Sequence, residues 1–192
     1  MLLVSCQSLE DQYKVSTTHR IIQIQPLGNI SITDVQFLKE RIEQFYPVRI
    51  QICPSKPLPT HSFYAPRNRY RADSLIAWLK SQKPDSVSGV VGLTTSDIST
   101  TKGKYKDYGV MGLGYQPGDA CVISTFRLKK TTVNQKHFQQ RLFKVVVHEM
   151  GHNFGLPHCP NQHCIMVDAE GKMKLDGEKE LCKNCQSKIQ FN

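Results

Sequence analysis

"VVVHEMGHNFGLPHCPNQHCIM", residues Val145 to Met166, gathers four of the chain's seven histidines and two of its seven cysteines into twenty-two positions. His148 and His152 are four apart, so on an α-helix they point about 40° from each other and can grip one ion together. Glu149 projects about 100° round from His148 by the same geometry, near enough to reach a water beside a metal without ligating the metal itself. Gly155 lets the chain leave the helix sharply, because glycine reaches positive φ freely, and the turn brings His158 back as a third imidazole. Three neutral nitrogens leave a fourth position open on zinc, the arrangement of a catalytic site, whereas a structural site is closed. A bare HExxH also occurs on ordinary amphipathic helices. Here the full HExxHxxGxxH is present, and each added residue has its own mechanical reason.

Directly beyond lies a second constellation, Cys159 and Cys164, then seventeen residues, then Cys182 and Cys185. Four thiolates around zinc make a closed tetrahedral site, and C-x2-C is a common way to supply two ligands from one turn. Two disulfides are the alternative reading of the same four residues. Cys159 follows His158 directly, so two metal sites built this way share a chain segment. His163 reads as an exposed bystander, since three imidazoles and four thiolates already complete both sites. Cys53, ending "VRIQIC", and Cys121, within "ACVIS", read as small buried hydrophobes in strands.

Upstream, "RIIQIQ" alternates as a half-buried strand, and Val35, Leu38, Ile42 and Phe45 recur at helical spacing behind Thr33 and Asp34 as capping candidates. With "VRIQIC" as the next strand, the opening reads as βαβ. Four prolines between Pro54 and Pro66 mark an irregular surface segment. A second helix is expected over Ala72 to Gln82. "SVSGVVGLTT" suits a central strand, and "YGVMGLGY" and "ACVISTF" two more, joined by the turn signal "QPGD". Gly109, Gly112 and Gly114 weaken the first of these as an interior strand, so an edge open to another backbone is expected there, with Gly112 and Gly114 as candidate substrate-aligning positions. A long helix starts near Asn134. The order βαβαβββα describes a mixed α/β domain.

The 192 residues, 39% hydrophobic, suit one well-packed domain with a small appendage and exclude disordered and collagen-like classes. The formal charge of +9 raises an acidic partner, nucleic acid or an anionic membrane. However, the charges are scattered, and the densest group, "RNRYR" at Arg67 to Arg71, is short. No run of eighteen apolar residues is present. Leu3-Val4-Ser5-Cys6 is similar to the lipobox of a bacterial lipoprotein signal, but the basic start and apolar segment of such a signal are missing before it. Residues 1–18 are expected to be an N-terminal tail, whose polar Gln7–Thr18 stretch suits a lipoprotein tether as well as a frayed terminus. The protein is cytoplasmic if Met1 is the true start, and membrane-anchored through a lipid on Cys6 if a signal lies upstream.

HExxHxxGxxH resembles the metzincin zinc peptidases, and its fusion to C-x4-C-x-M and a later C-x2-C is similar to the archaemetzincin family in particular. "QPLG", "RNRY" and "STFRL" also resemble that family, so the likeness runs from about Arg20 onward. It implies a zincin-like mixed β-sheet with an active-site helix, a four-cysteine zinc tail over 159–192, and one metallopeptidase domain over 19–192. It also implies two zinc ions, one catalytic and one structural, with Met166 as the methionine of the turn beneath the catalytic metal. No tyrosine stands two residues after Met166, where Asp168 sits, so a tyrosine ligand is not expected. The function expected is peptide-bond hydrolysis with Glu149 as general base, on peptide or protein substrates, by a monomer and without nucleic acid. The rival reading is an inactive zinc-binding module that binds nucleic acid or protein.

Overall fold

Alternating side chains in "RIIQIQPL" set the centre of the molecule. In the computed structural model, which describes residues 20–168, 176–177 and 180–189, this segment is strand β1 (Arg20–Leu27), with Ile22 and Ile24 buried. Helix α1 (Ile32–Phe45) follows and leads into β2 (Val48–Ile52), parallel to β1 as the βαβ reading expects. Short strands β3 (Phe63–Tyr64) and β4 (Arg69–Arg71) precede helix α2 (Ala72–Gln82). Then come β5 (Gly89–Thr94), β6 (Ile98–Lys102), β7 (Tyr105–Val110), β8 (Gly112–Gly114) and β9 (Ala120–Ser124). Helices α3 (Thr125–Lys129), α4 (Gln135–Asn153) and α5 (Lys183–Gln186) complete the described elements. The expectations for residues 1–18 and for Cys6 lie outside the described residues.

The main sheet runs β2-β1-β5-β9-β8. Its first four strands are parallel, and β8 is an antiparallel edge against β9. Alternation sorts side chains between the two faces. Val91, Leu93, Cys121 and Ile123 pack with Val35, Leu38 and Ile42 of α1 and Leu142, Val145 and Val146 of α4. Val90 and Val122 pack with Leu75, Ile76 and Leu79 of α2. Coverage on both faces explains why every residue of β5 is buried and why it reads as a continuous apolar run.

A smaller sheet, β3-β4-β6-β7, corrects the expectation at "YGVMGLGY". That stretch is two strands: β7 pairs with β6, and after Met111 the chain passes to the main sheet as β8. The polar "ISTTK" of β6 supplies the hairpin partner, and the Met111 carbonyl accepts from Ser124 N at the crossing. Gly109 therefore belongs to the smaller sheet, while Gly112 and Gly114 do form the edge of the larger one. "ACVISTF" ends as a strand at Ser124, whose hydroxyl caps α3 by accepting from Phe126 N. Ser31 stands at the N-cap of α1, so Thr33 and Asp34 lie in its first turn. The Asp34 carboxylate instead accepts from Gln135 and Gln139 of α4, at 2.6 and 3.2 Å. Cys121 is buried in β9 as expected, but Cys53 lies one residue past β2 and is half-buried.

Candidate active site

Helix α4 starts at Asn134, whose side-chain oxygen accepts from His137 N at 2.9 Å and satisfies one otherwise orphaned donor. Its apolar face, Phe138, Leu142, Val145 and Val146, locks the helix onto the sheet. The following turn carries His148, Glu149 and His152, all half-buried. Gly155 at φ +86° ends the helix. Its N–H bonds the His152 carbonyl and Leu156 N–H bonds the Gly151 carbonyl, both at 2.9 Å, a Schellman motif that turns His158 back toward the helix. Ring centroids of the three histidines stand 4.7, 4.8 and 5.4 Å apart.

The donor chemistry of these rings fits a divalent ion. One nitrogen from each lies within 4.8 Å of the others. His148 Nδ1 is 2.8 Å from the Ile165 carbonyl, and His152 Nδ1 is 2.8 Å from the Leu156 carbonyl. A carbonyl accepts, so each Nδ1 carries the proton and each Nε2 keeps a lone pair for a metal. Burial pushes His148 down to about 4, opposed by the Ile165 hydrogen bond, and burial also lowers His152. Both rings are therefore neutral near pH 7, the form in which imidazole ligates.

The four clustered cysteines form a second group with sulfurs within 4.8 Å of one another. Cys159 and Cys182 stand 3.8 Å apart and Cys164 and Cys185 3.7 Å. These separations far exceed the roughly 2.05 Å of a disulfide. They match the edge of a tetrahedron with zinc–sulfur bonds of about 2.3 Å, and so favour the metal reading over the disulfide one. The backbone N–H of Cys185 brings the Cys182 thiol down to about 7, while burial raises Cys164 and Cys185. His163 stands outside both groups.

Glu149 meets the edge strand. A Cβ on Gly112 would lie 2.7 Å from Glu149 Cγ, and one on Gly114 would lie 2.6 Å from the Glu149 carbonyl oxygen. These two glycines thus let β8 press against α4. Burial pushes the Glu149 carboxyl up to about 8, opposed by a backbone hydrogen bond from Gly114. Met166 is fully buried, and a Cβ on Gly151 of α4 would come 2.5 Å from its sulfur. Gly151 is a packing residue that the motif reading passes over; its small size inside "HEMGH" is the signal that something approaches the helix there. The carbonyls of Leu156 and Ile165 left no side-chain signature to read.

The densest basic group is engaged within the protein. Arg69 pairs with Asp97 at 3.3 Å and with Asp107 at 3.5 Å, and Arg71 with Asp73 at 3.4 Å and Asp107 at 3.8 Å. Arg127 adds a two-pronged bond to Asp97 at 2.9 and 3.0 Å. Arginines held this way brace the smaller sheet, while Arg67, 3.9 Å from Asp107, keeps an exposed side chain.

Residues 29–191 match the model of peptidase family M54. The chain belongs to that family. It is similar to the archaemetzincin of Natronomonas pharaonis, 30% identical over 88% of this chain and 98% of the relative. It is equally similar to that of Archaeoglobus fulgidus, 30% identical over 88% and 99%. The crystal structure of the Archaeoglobus fulgidus archaemetzincin superposes with a TM-score of 0.74 at 28% identity, covering 88% of this chain and 99% of that one. The Methanopyrus kandleri archaemetzincin structure gives 0.74 at 26% identity, covering 88% and 92%. The chain is accordingly a zinc metallopeptidase, and the inactive-module reading is not favoured.

Proposed function

We propose that His148, His152 and His158 hold the catalytic zinc, that Glu149 is the general base of peptide hydrolysis, and that Cys159, Cys164, Cys182 and Cys185 hold a second, structural zinc. The observation that carries this reading is the shared orientation of His148 and His152. Each turns Nδ1 to a backbone carbonyl at 2.8 Å and so presents Nε2 to the same space. When bound there, zinc supplies Lewis acidity for a carbonyl oxygen and makes water easier to deprotonate.

The chain's own groups do the rest. A cation beside Glu149 favours its carboxylate over the acid that burial alone promotes, so the group can accept a proton near pH 7. Glu149 takes that proton from the attacking water and passes it to the departing amine. Strand β8 pairs with β9 on one side and is the edge of its sheet. An extended peptide would align along this edge by backbone hydrogen bonds, with Gly112 and Gly114 keeping it close to Glu149. Met166 supports the helix from below. The family match spans body and tail together, which supports one catalytic domain over 19–192. We assign a monomer acting on peptide or protein substrates.

Zinc analysis of the purified protein together with hydrolysis of a peptide library tests the reading. Two zincs per chain and cleavage that vanishes in Glu149→Ala are expected. One zinc with oxidised cysteines would remove the four-thiolate assignment, and undiminished cleavage by Glu149→Ala would remove the base.

A further inference from the structure

The third histidine is supported differently from the other two. His158 Nδ1 stands 3.5 Å from Asp168 Oδ2, with both side chains about half exposed, at 49% and 47%. His148 and His152 have backbone carbonyls in the corresponding place. Asp168 is not among the residues whose ligand atoms gather within 4.8 Å, so it stands behind His158 and outside the donor set. Its position is imposed by the cysteine turn. Val167 N donates to the Cys164 carbonyl at 3.0 Å and Cys159 N to the Met166 carbonyl at 2.8 Å. A parallel bridge between Cys159 and Val167 then lays the segment after His158 beside the one that ends in Asp168.

We propose that Asp168 is the positioning residue of the third metal ligand, holding the Nδ1 side of His158 so that Nε2 faces the metal. This rests on the reading of the three histidines as a metal site. A carboxylate in this place fixes ring orientation and raises the basicity of the ligating nitrogen, which a carbonyl does less strongly. His158 is the ligand that most requires it. It lies outside helix α4 on an exposed segment, where no helical backbone sets its direction. The same turn also supplies the Ile165 carbonyl to His148. The cysteine cluster therefore controls two of the three imidazoles through residues 165–168.

The test uses the full chain with zinc, comparing the parent with Asp168→Asn and Asp168→Ala. Equilibrium competition with a chromogenic chelator reads the affinity of the nitrogen-ligated zinc, and the cobalt(II)-substituted protein reports the symmetry of that site through its d–d spectrum. Both variants should bind zinc about 10–100-fold more weakly at the histidine site, as loss of such outer partners does elsewhere. The cobalt spectrum should change while the four-thiolate zinc is retained at the parent level. Asp168→Asn keeps size and an acceptor oxygen, so its failure to bind tightly would locate the effect in the charge. Parent-like affinity and an unaltered spectrum in Asp168→Ala would overturn the proposal. Absence of nitrogen-ligated metal in the parent itself would instead overturn the histidine reading, and this proposal with it.

Discussion

His148 Nδ1 meets the carbonyl of Ile165 at 2.8 Å, across seventeen residues of sequence, and Ile165 sits between Cys164 and Met166. A ligand of one candidate metal site is thus aimed by the backbone of the other.

Cys164→Ser should therefore damage both sites in sequence. Cys164 is fully buried, and its carbonyl closes the turn that carries Ile165. Losing one thiolate from a closed site should cost several kcal/mol, given about 10–16 kcal/mol of apparent zinc binding energy in small structural sites. Calorimetry should show a lowered thermal midpoint, and zinc analysis should show weakened retention at the histidines. A parent-like midpoint would contradict the linkage.

Glu149→Ala should separate chemistry from folding. The carboxylate belongs to neither metal group, so both zincs and the fold should survive. Hydrolysis should fall by at least about 10²–10⁴-fold, the usual contribution of a positioned base. Steady-state kinetics beside zinc analysis checks this, and loss of zinc in the variant would argue that Glu149 is a ligand.

Alanine at the two edge glycines should give different phenotypes. At position 112 the new methyl would meet the Glu149 side chain, which can rotate away, so activity should drop with little change in stability. At position 114 it would meet the Glu149 backbone carbonyl at 2.6 Å, which cannot move without the helix. Overpacking of that kind costs about 1–3 kcal/mol. Denaturant titration and peptide hydrolysis on both variants measure the contrast; equal stability losses would contradict it.

Acid should loosen the contact between the cysteine-bearing tail and α4. Arg141 bonds Asp176 at 2.8 and 2.7 Å and His137 bonds it at 2.7 Å, and together they hold its carboxyl well below the usual range. A depressed folded pKa contributes stability that is present above the unfolded value of about 3.9 and is lost as pH falls toward the folded one. Asp176→Asn should thus be less stable than the parent at pH 7, with the gap narrowing below about pH 4. Thermal melts across pH check this, and a gap independent of pH would show that charge is not its source.

The local sequence determined what depends on neighbours in the chain. Spacing four apart on a 3.6-residue helix brings His148 and His152 together whatever surrounds them, and Gly155 permits the turn to His158 because the limit there is its own backbone. The strand alternation of "RIIQIQ" and the continuous burial of β5 are likewise written in consecutive residues. Tertiary structure decided what depends on distant partners. Polar "ISTTK" became a strand because β4 and β7 flank it, and "YGVMGLGY" divided at Met111 because each half found a different neighbour. Asp34, read as a cap, turned to glutamines of α4 more than a hundred residues away. The glycines at 112 and 114 signalled an edge but not that Glu149 would press against them, and no side chain marks the carbonyl of Ile165 as the support of His148. Backbone acceptors and close approaches leave no periodic trace in a sequence, because they are set by which segments the folded core holds side by side.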